Sequence, residues 1–255
     1  MRISKEHLEI MQRQIELDCN IKEATKIKED IYISPTRVLP GSRIINKTDS
    51  FFRVVVFMGT AYIMADEETI PGFEELFRDY EAEWFFSFNN LRTIDHILKD
   101  FDREIVDTRI YFLPDWDFKK VDINQNWKLF TQKEIDDFRE GNPFPHALCY
   151  SKTQPDIYAL AAPDNKGGYA GMAGASIDGK YVCQIGIDVN KEYRGRGLAS
   201  SLVAALKQEI IKDGYLPFYG TASSHALSRH VAVKSGFLPA FSELVVKKPK
   251  NQDEK

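Results

Sequence analysis

Between residues 181 and 214 the sequence leaves local structure little freedom. Residues 181–189 read as a strand that passes through Asn190, Lys191, Glu192 and Tyr193 into Arg194, Gly195, Arg196 and Gly197. A helix follows, because Leu198, Leu202, Val203, Leu206 and Ile210 recur at i, i+4, i+5, i+8 and i+12 and Gly214 supplies the stop. The two glycines therefore occupy a strand-to-helix turn, where the first helical amides have no internal acceptor and the helix dipole ends positive. Glycine lets an anion approach the backbone closely, and Arg194 and Arg196 add charge, so the turn can hold a phosphate. The plainer alternative is a tight turn beside two solvated arginines, and a Gly-x-Gly alone does not decide between them.

Two familiar phosphate loops do not fit. No Gly-Lys-Ser/Thr follows, which argues against a nucleotide-hydrolysing P-loop, and the three glycines of a dinucleotide fingerprint are absent. The run from Val189 to Ala199 resembles the acetyl-CoA signature of the GCN5-related N-acetyltransferases, Gln/Arg-x-x-Gly-x-Gly/Ala, with Arg194, Gly197 and Ala199 at its fixed positions. Downstream, the stretch from Ser228 to Phe237 is similar to that family's helix ending in Lys-x-Gly-Phe. The resemblance covers residues 127–246 and not the first half of the chain. It implies acetyl-CoA as co-substrate and transfer of the acetyl group to an amine by direct attack in a ternary complex. By the same resemblance Arg194, Gly195, Arg196, Gly197, Leu198, Ala199 and Ser228 would bind the cofactor, and the backbone of Ile187 and Val189 would meet its pantetheine arm and thioester carbonyl. The family's strand splays from its neighbour, which here is residues 215–221. Plain sheet pairing of Ile187, Asp188 and Val189 is the alternative that needs no ligand.

Two positions depart from the family pattern. His225 stands where an asparagine is common, and Ala232 where a tyrosine often protonates the departing thiolate. A thiol of pKa ~8.5 leaves with modest help, so the second loss need not end activity. An acceptor amine of pKa ~10.4 is protonated at neutral pH and needs a base. Asp188, Tyr219, His225, His230 and Glu243 lie near the expected gap by position; Asp188 and His225 are the leading catalytic candidates. Ser200, Ser201, Ser223 and Ser224 are explained by helix-start hydrogen bonding.

With 34 basic and 38 acidic side chains and a net charge of -4, the chain lacks the positive excess that nucleic acid binding requires. Its apolar runs fall short of the ~20 residues that span a bilayer, and the first residues lack a signal peptide's apolar core, so no membrane partner and a cytoplasmic location are expected. Cys19, Cys149 and Cys183 have no ligand spacing and read as reduced thiols. His7, His96 and His146 lack ligand-like companions, so no metal is expected.

The first half mixes element types. A Ser4-capped amphipathic helix carrying Leu8, Met11 and Ile15 is followed by strands at 51–57 and 61–65. Helices presenting Phe73, Leu76, Phe77 and Tyr80, then Leu91, Ile94, Leu98 and Phe101, precede a strand at 108–113. From Pro114 to Asn126 the pattern turns polar, either as a linker or as a loop within one domain. Beyond it, Thr131 and Glu134 form a capping-box pair, and strands at 157–162, 169–177 and 181–189 suggest an antiparallel meander. Residues 247–255 read as a frayed charged tail.

The expected fold class is α/β (α+β). An N-terminal α/β domain, residues 1–122, would serve the acceptor side, and residues 123–255 would form a mixed sheet flanked by helices that binds acyl-CoA. The expected partner is a small amine-bearing acceptor. A CoA-binding regulatory module without catalysis, or an acyltransferase acting on oxygen or using longer chains, are the alternatives.

Overall fold

A computed structural model describes residues 2–44 and 51–249, so the expected tail from residue 250 onward lies outside the described residues. The chain begins with helix α1 (Lys5–Asp18), where the Ser4 hydroxyl accepts the His7 backbone N–H at 3.1 Å and so caps the first turn. Strands β1 (Thr25–Lys28), β2 (Ile31–Pro35), β3 (Phe52–Phe57) and β4 (Thr60–Ala65) follow, then helices α2 (Ile70–Phe77) and α3 (Phe88–Lys99) and strand β5 (Glu104–Pro114). β3 and β4 are the expected hairpin; Met58 and Gly59 both take positive φ, 50° and 74°, which matches the strand twist at a two-residue turn. Tyr80 and Phe101, expected on helix faces, lie just beyond the ends of α2 and α3. α3 ends at Lys99, and Asp102 at φ 55° turns the chain out of the helical path.

The remaining elements are β6 (Lys128–Leu129), α4 (Gln132–Asp137), β7 (Asp156–Pro163), β8 (Tyr169–Ile177), β9 (Val182–Val189), α5 (Leu198–Lys212), β10 (Leu216–Ala222), α6 (Ala226–Lys234) and β11 (Phe237–Lys247). Thr131 and Glu134 close the capping box of α4. The mixed α/β architecture is the expected class.

Two compact units divide these elements. One comprises Gln12–Ile110 with Ala240–Lys255, the other Met1–Met11 with Tyr111–Pro239. The first contains the strand order β1-β2-β4-β3-β11, with β2 parallel to β4 and the other neighbours antiparallel. Its core gathers Ile33, Val54, Ile63, Phe73, Phe77 and Leu98. It also buries an ion quartet. Asp18 meets Arg43 at 2.5 Å and Arg53 at 3.3 Å, while Arg53 meets Glu243 at 2.5 Å and Arg43 lies 3.6 Å from it.

The second unit contains the order β10-β9-β8-β7-β6. β7, β8 and β9 form the antiparallel meander, and β10 joins β9 in parallel. One face carries the core of Phe130, Ile135, Phe144, Leu148, Ala159 and Met172. Residues 144–148 press directly on the strands there: a Cβ on Gly174 would lie 2.1 Å from the Ala147 carbonyl oxygen, and one on Gly186 1.8 Å from that of His146. Only glycine admits that approach. α5 buries Leu202, Val203, Leu206 and Ile210, the stripe read from the sequence.

Candidate active site

The ladder between β9 and β10 pairs Leu216 with Val182 and ends where Tyr219 pairs with Ile185. β9 continues to Val189 and β10 to Ala222. Among the described residues the edge of β9 from Gly186 to Val189 is therefore unpaired on its β10 side. Strand alternation fixes which backbone groups face it. The Asn190 N–H donates to Ala170 O at 2.9 Å, toward β8, and the Tyr181 carbonyl accepts from the Leu216 N–H at 3.0 Å, toward β10. Odd-numbered residues of β9 thus aim their N–H and C=O groups at β10, and beyond Ile185 those of Ile187 and Val189 aim at the diverging edge.

At the end of β9 a short 3-10 turn, Lys191–Tyr193, leads to Arg194. The turn is anchored: Asn190 Nδ2 donates to Tyr169 O at 2.8 Å, the Tyr193 hydroxyl to Asn165 Oδ1 at 2.8 Å, and Lys166 pairs with Glu192 at 2.9 Å. Gly195 at φ 76° and Gly197 at φ 80° take the left-handed conformation, which costs other residues ~1–2 kcal/mol. Gly197 is the N-cap of α5 and has no side chain to satisfy its amides. Nothing lies within 4 Å of a Cβ built on either glycine, so the turn opens to solvent above the helix N-terminus. Arg194 is exposed and its Nε donates to Val189 O at 2.9 Å, leaving its other donors for an anion.

Asp188 faces the other way from Ile187 and Val189. Its Oδ2 accepts the backbone N–H groups of His146 at 2.7 Å and Ala147 at 3.0 Å, so the carboxylate pins the turn that covers Gly186. Oδ1 takes no part in either bond. The side chain of His225 is exposed at the N-cap of α6 and makes no capping hydrogen bond. His230 is exposed on the same helix. Glu243 belongs to the other unit, fully buried in the ion quartet.

Tyr219, one of several positional candidates in the sequence, acquires a defined partner. Its hydroxyl lies 2.9 Å from Ser228 Oγ on α6, and the residue is 3% exposed. Burial raises its pKa, the Ser228 hydrogen bond opposes the shift and the charge of Asp188 adds to it. The sequence signal was a lone hydroxyl in the apolar start of β10, facing a serine one helical turn before Ala232. Among the described residues no group of three or more His, Cys, Asp or Glu side chains could hold a metal. Among the described residues no helix is long and apolar enough to cross a membrane.

Residues 123–237 match the family model described as the acetyltransferase (GNAT) family. No curated protein matches the chain. Solved structures that the chain matches include a GCN5-related N-acetyltransferase from Kribbella flavida, at 15% identity over 61% of this chain and 63% of that one, with a TM-score of 0.43. A GCN5-related N-acetyltransferase-like protein from Streptococcus suis 89/1591 is 12% identical over 94% of this chain and 98% of that one, with a TM-score of 0.46. An acetyltransferase from the GNAT family from Colwellia psychrerythraea is 12% identical, with a TM-score of 0.40, over 57% of each chain, under two thirds of that protein's length.

Proposed function

We propose, from the match of residues 123–237 to the acetyltransferase (GNAT) family model, that this chain carries an acetyl group from acetyl-CoA to the amine of a small acceptor. The reaction class, acyl transfer from an acyl-CoA, goes with the family. The finer reading is carried by one observation: β9 parts from β10 after Ile185 and then runs into an open glycine turn at a helix N-terminus. The pantetheine arm would lie along that free edge as an added strand, with the N–H of Ile187 or Val189 directed at the thioester carbonyl. Its pyrophosphate would rest on the amides from Gly195 to Ala199, with Arg194 and Arg196 supplying charge and Ser228 closing the site from α6.

Attack requires a neutral amine, so a base must take its proton. Asp188, through Oδ1, and His225 are the proposed groups. Choice of acceptor is proposed to lie with the N-terminal part of the chain, residues 1–122. Substitutions there should reorder the amines that serve and leave CoA affinity unaltered; an affinity that follows them speaks against the assignment.

A second reading, CoA binding without turnover, draws on the buried Ala232, where the family pattern often has an acid. One experiment separates the two: free CoA is measured as acetyl-CoA meets a panel of simple amines, polyamines, aminoglycosides and peptides. Amine-stimulated release supports transfer, and tight CoA binding with no stimulated release supports the second reading.

A further inference from the structure

α6 presents Ser228 and Ala232 one turn apart, at i and i+4, and so on one face of the helix. Ala232 is fully buried, so that face packs inward. The phenol of Tyr219 rises from β10 to this same face and meets Ser228 Oγ at 2.9 Å. A phenol thus stands one helical turn from the position where the family pattern has one, carried on the strand instead of the helix. Its place along the strand also fits. Tyr219 is the last β10 residue paired with β9, opposite Ile185, and Ile187 lies two residues further, roughly 7 Å along the free edge. His225 offers no comparable placement, since its ring is exposed and makes no capping bond.

We propose that Tyr219 is the proton donor to the departing CoA thiolate and that Ser228 is its positioning residue. The assignment rests on the acyl-transfer reading given above. As the amine nitrogen bonds to the carbonyl carbon and the C–S bond breaks, the electron pair leaves on sulfur. The Tyr219 O–H proton passes to sulfur and yields the free thiol. The phenolate, held by the Ser228 hydroxyl, regains a proton from solvent, into which the nitrogen has released its own. One proton leaves the amine and one arrives at the thiol, so the step balances. Burial raises the pKa of Tyr219 and keeps it protonated at neutral pH, as a donor must be. Ser228 lowers it again by stabilising the phenolate, while the charge of Asp188 raises it.

The test uses the full chain, acetyl-CoA and hydroxylamine, an acceptor that is unprotonated at neutral pH and needs no base. Free CoA is followed above the uncatalysed background, and acetyl-CoA affinity is measured separately by calorimetry. Tyr219→Phe should lower catalysed release about 100-fold with affinity nearly unchanged. A fluorinated tyrosine at 219, more acidic but close in size, should remain active and move the alkaline limb of kcat to lower pH, whereas Ser228→Ala should move that limb upward. A wild-type rate in Tyr219→Phe, or a limb that ignores the fluorine, overturns the assignment and leaves acyl transfer standing. Failure of the wild-type chain to bind acetyl-CoA overturns the reading beneath it.

Discussion

Arg194 carries the most direct prediction at the residue scale. Its guanidinium is oriented by the bond from Nε to Val189 O and sits beside amides that no side chain caps. Charge-assisted hydrogen bonds contribute ~1.5–3 kcal/mol each, so Arg194→Ala should weaken acetyl-CoA binding at least about tenfold in a folded protein. Calorimetry showing unchanged affinity would remove phosphate from this turn. Asp188 poses a different question, because one of its oxygens already holds two backbone amides. Asp188→Asn retains a carbonyl oxygen for those bonds and loses the ability to take a proton. Turnover of an alkylamine should therefore fall while hydroxylamine turnover and CoA affinity persist. Equal loss with both acceptors would make Asp188 a positioning residue for residues 146 and 147. None of this partnership is legible in sequence, since Asp188 and its donors lie 42 and 41 residues apart. Arg194 and the glycines were legible because strand, turn and helix are contiguous and each pattern is local.

Lys207 shows at the element scale how the helices around the site are joined. It is 1% exposed within α5, and its Nζ donates at 2.8 Å to both Ser235 O and Gly236 O, the carbonyls just beyond α6, between the rings of Phe118 and Phe237. The helical stripe of α5 predicts its buried leucines but not a lysine, whose charge is tolerated because carbonyls at a helix C-terminus receive it. Burial pushes its pKa from an ordinary 10.5 down to about 8, against the opposing charge of Asp115. Between these values the unfolded chain holds a proton that the folded chain has released. Stability should thus rise as pH increases through that window. Lys207→Met strips the donor from two carbonyls and should cost ~1–3 kcal/mol near neutral pH. It should also flatten the rise, measured by urea unfolding at several pH values; an unaltered slope would place its origin elsewhere. Short elements were the ones hidden from sequence: β6 has two residues, and β1 and β2 have four and five, each given its register by a partner and not by its own pattern.

At the scale of the whole molecule, the unit lacking the family match is closed by side chains far apart in sequence. Asp18, Arg43, Arg53 and Glu243 bring together the end of α1, residue 43, β3 and β11. The Arg53–Glu243 pair spans 190 residues. No local pattern announces such a pairing, which is why the last strand reads from sequence as a simple continuation of the second half. Two positive and two negative charges cancel only while all four are present, and removing one partner of a buried pair costs ~3–5 kcal/mol. Arg53→Met should therefore destabilise this unit. The cysteines provide separate gauges for the two units. Cys19 lies in this one and Cys183 on β9 in the other; burial raises the pKa of each to about 12, whereas Cys149 is exposed. A thiol reagent at neutral pH should label Cys149 first and the buried pair only as each unit opens. In Arg53→Met, Cys19 labelling should accelerate far more than Cys183 labelling. Saturating acetyl-CoA, which favours the state that binds it by ~2.7 kcal/mol at a hundredfold excess over Kd, should slow labelling chiefly at Cys183. Equal acceleration of both thiols by Arg53→Met, read by mass spectrometry of the labelled peptides, would mean that the units open together and that the quartet stabilises the whole chain.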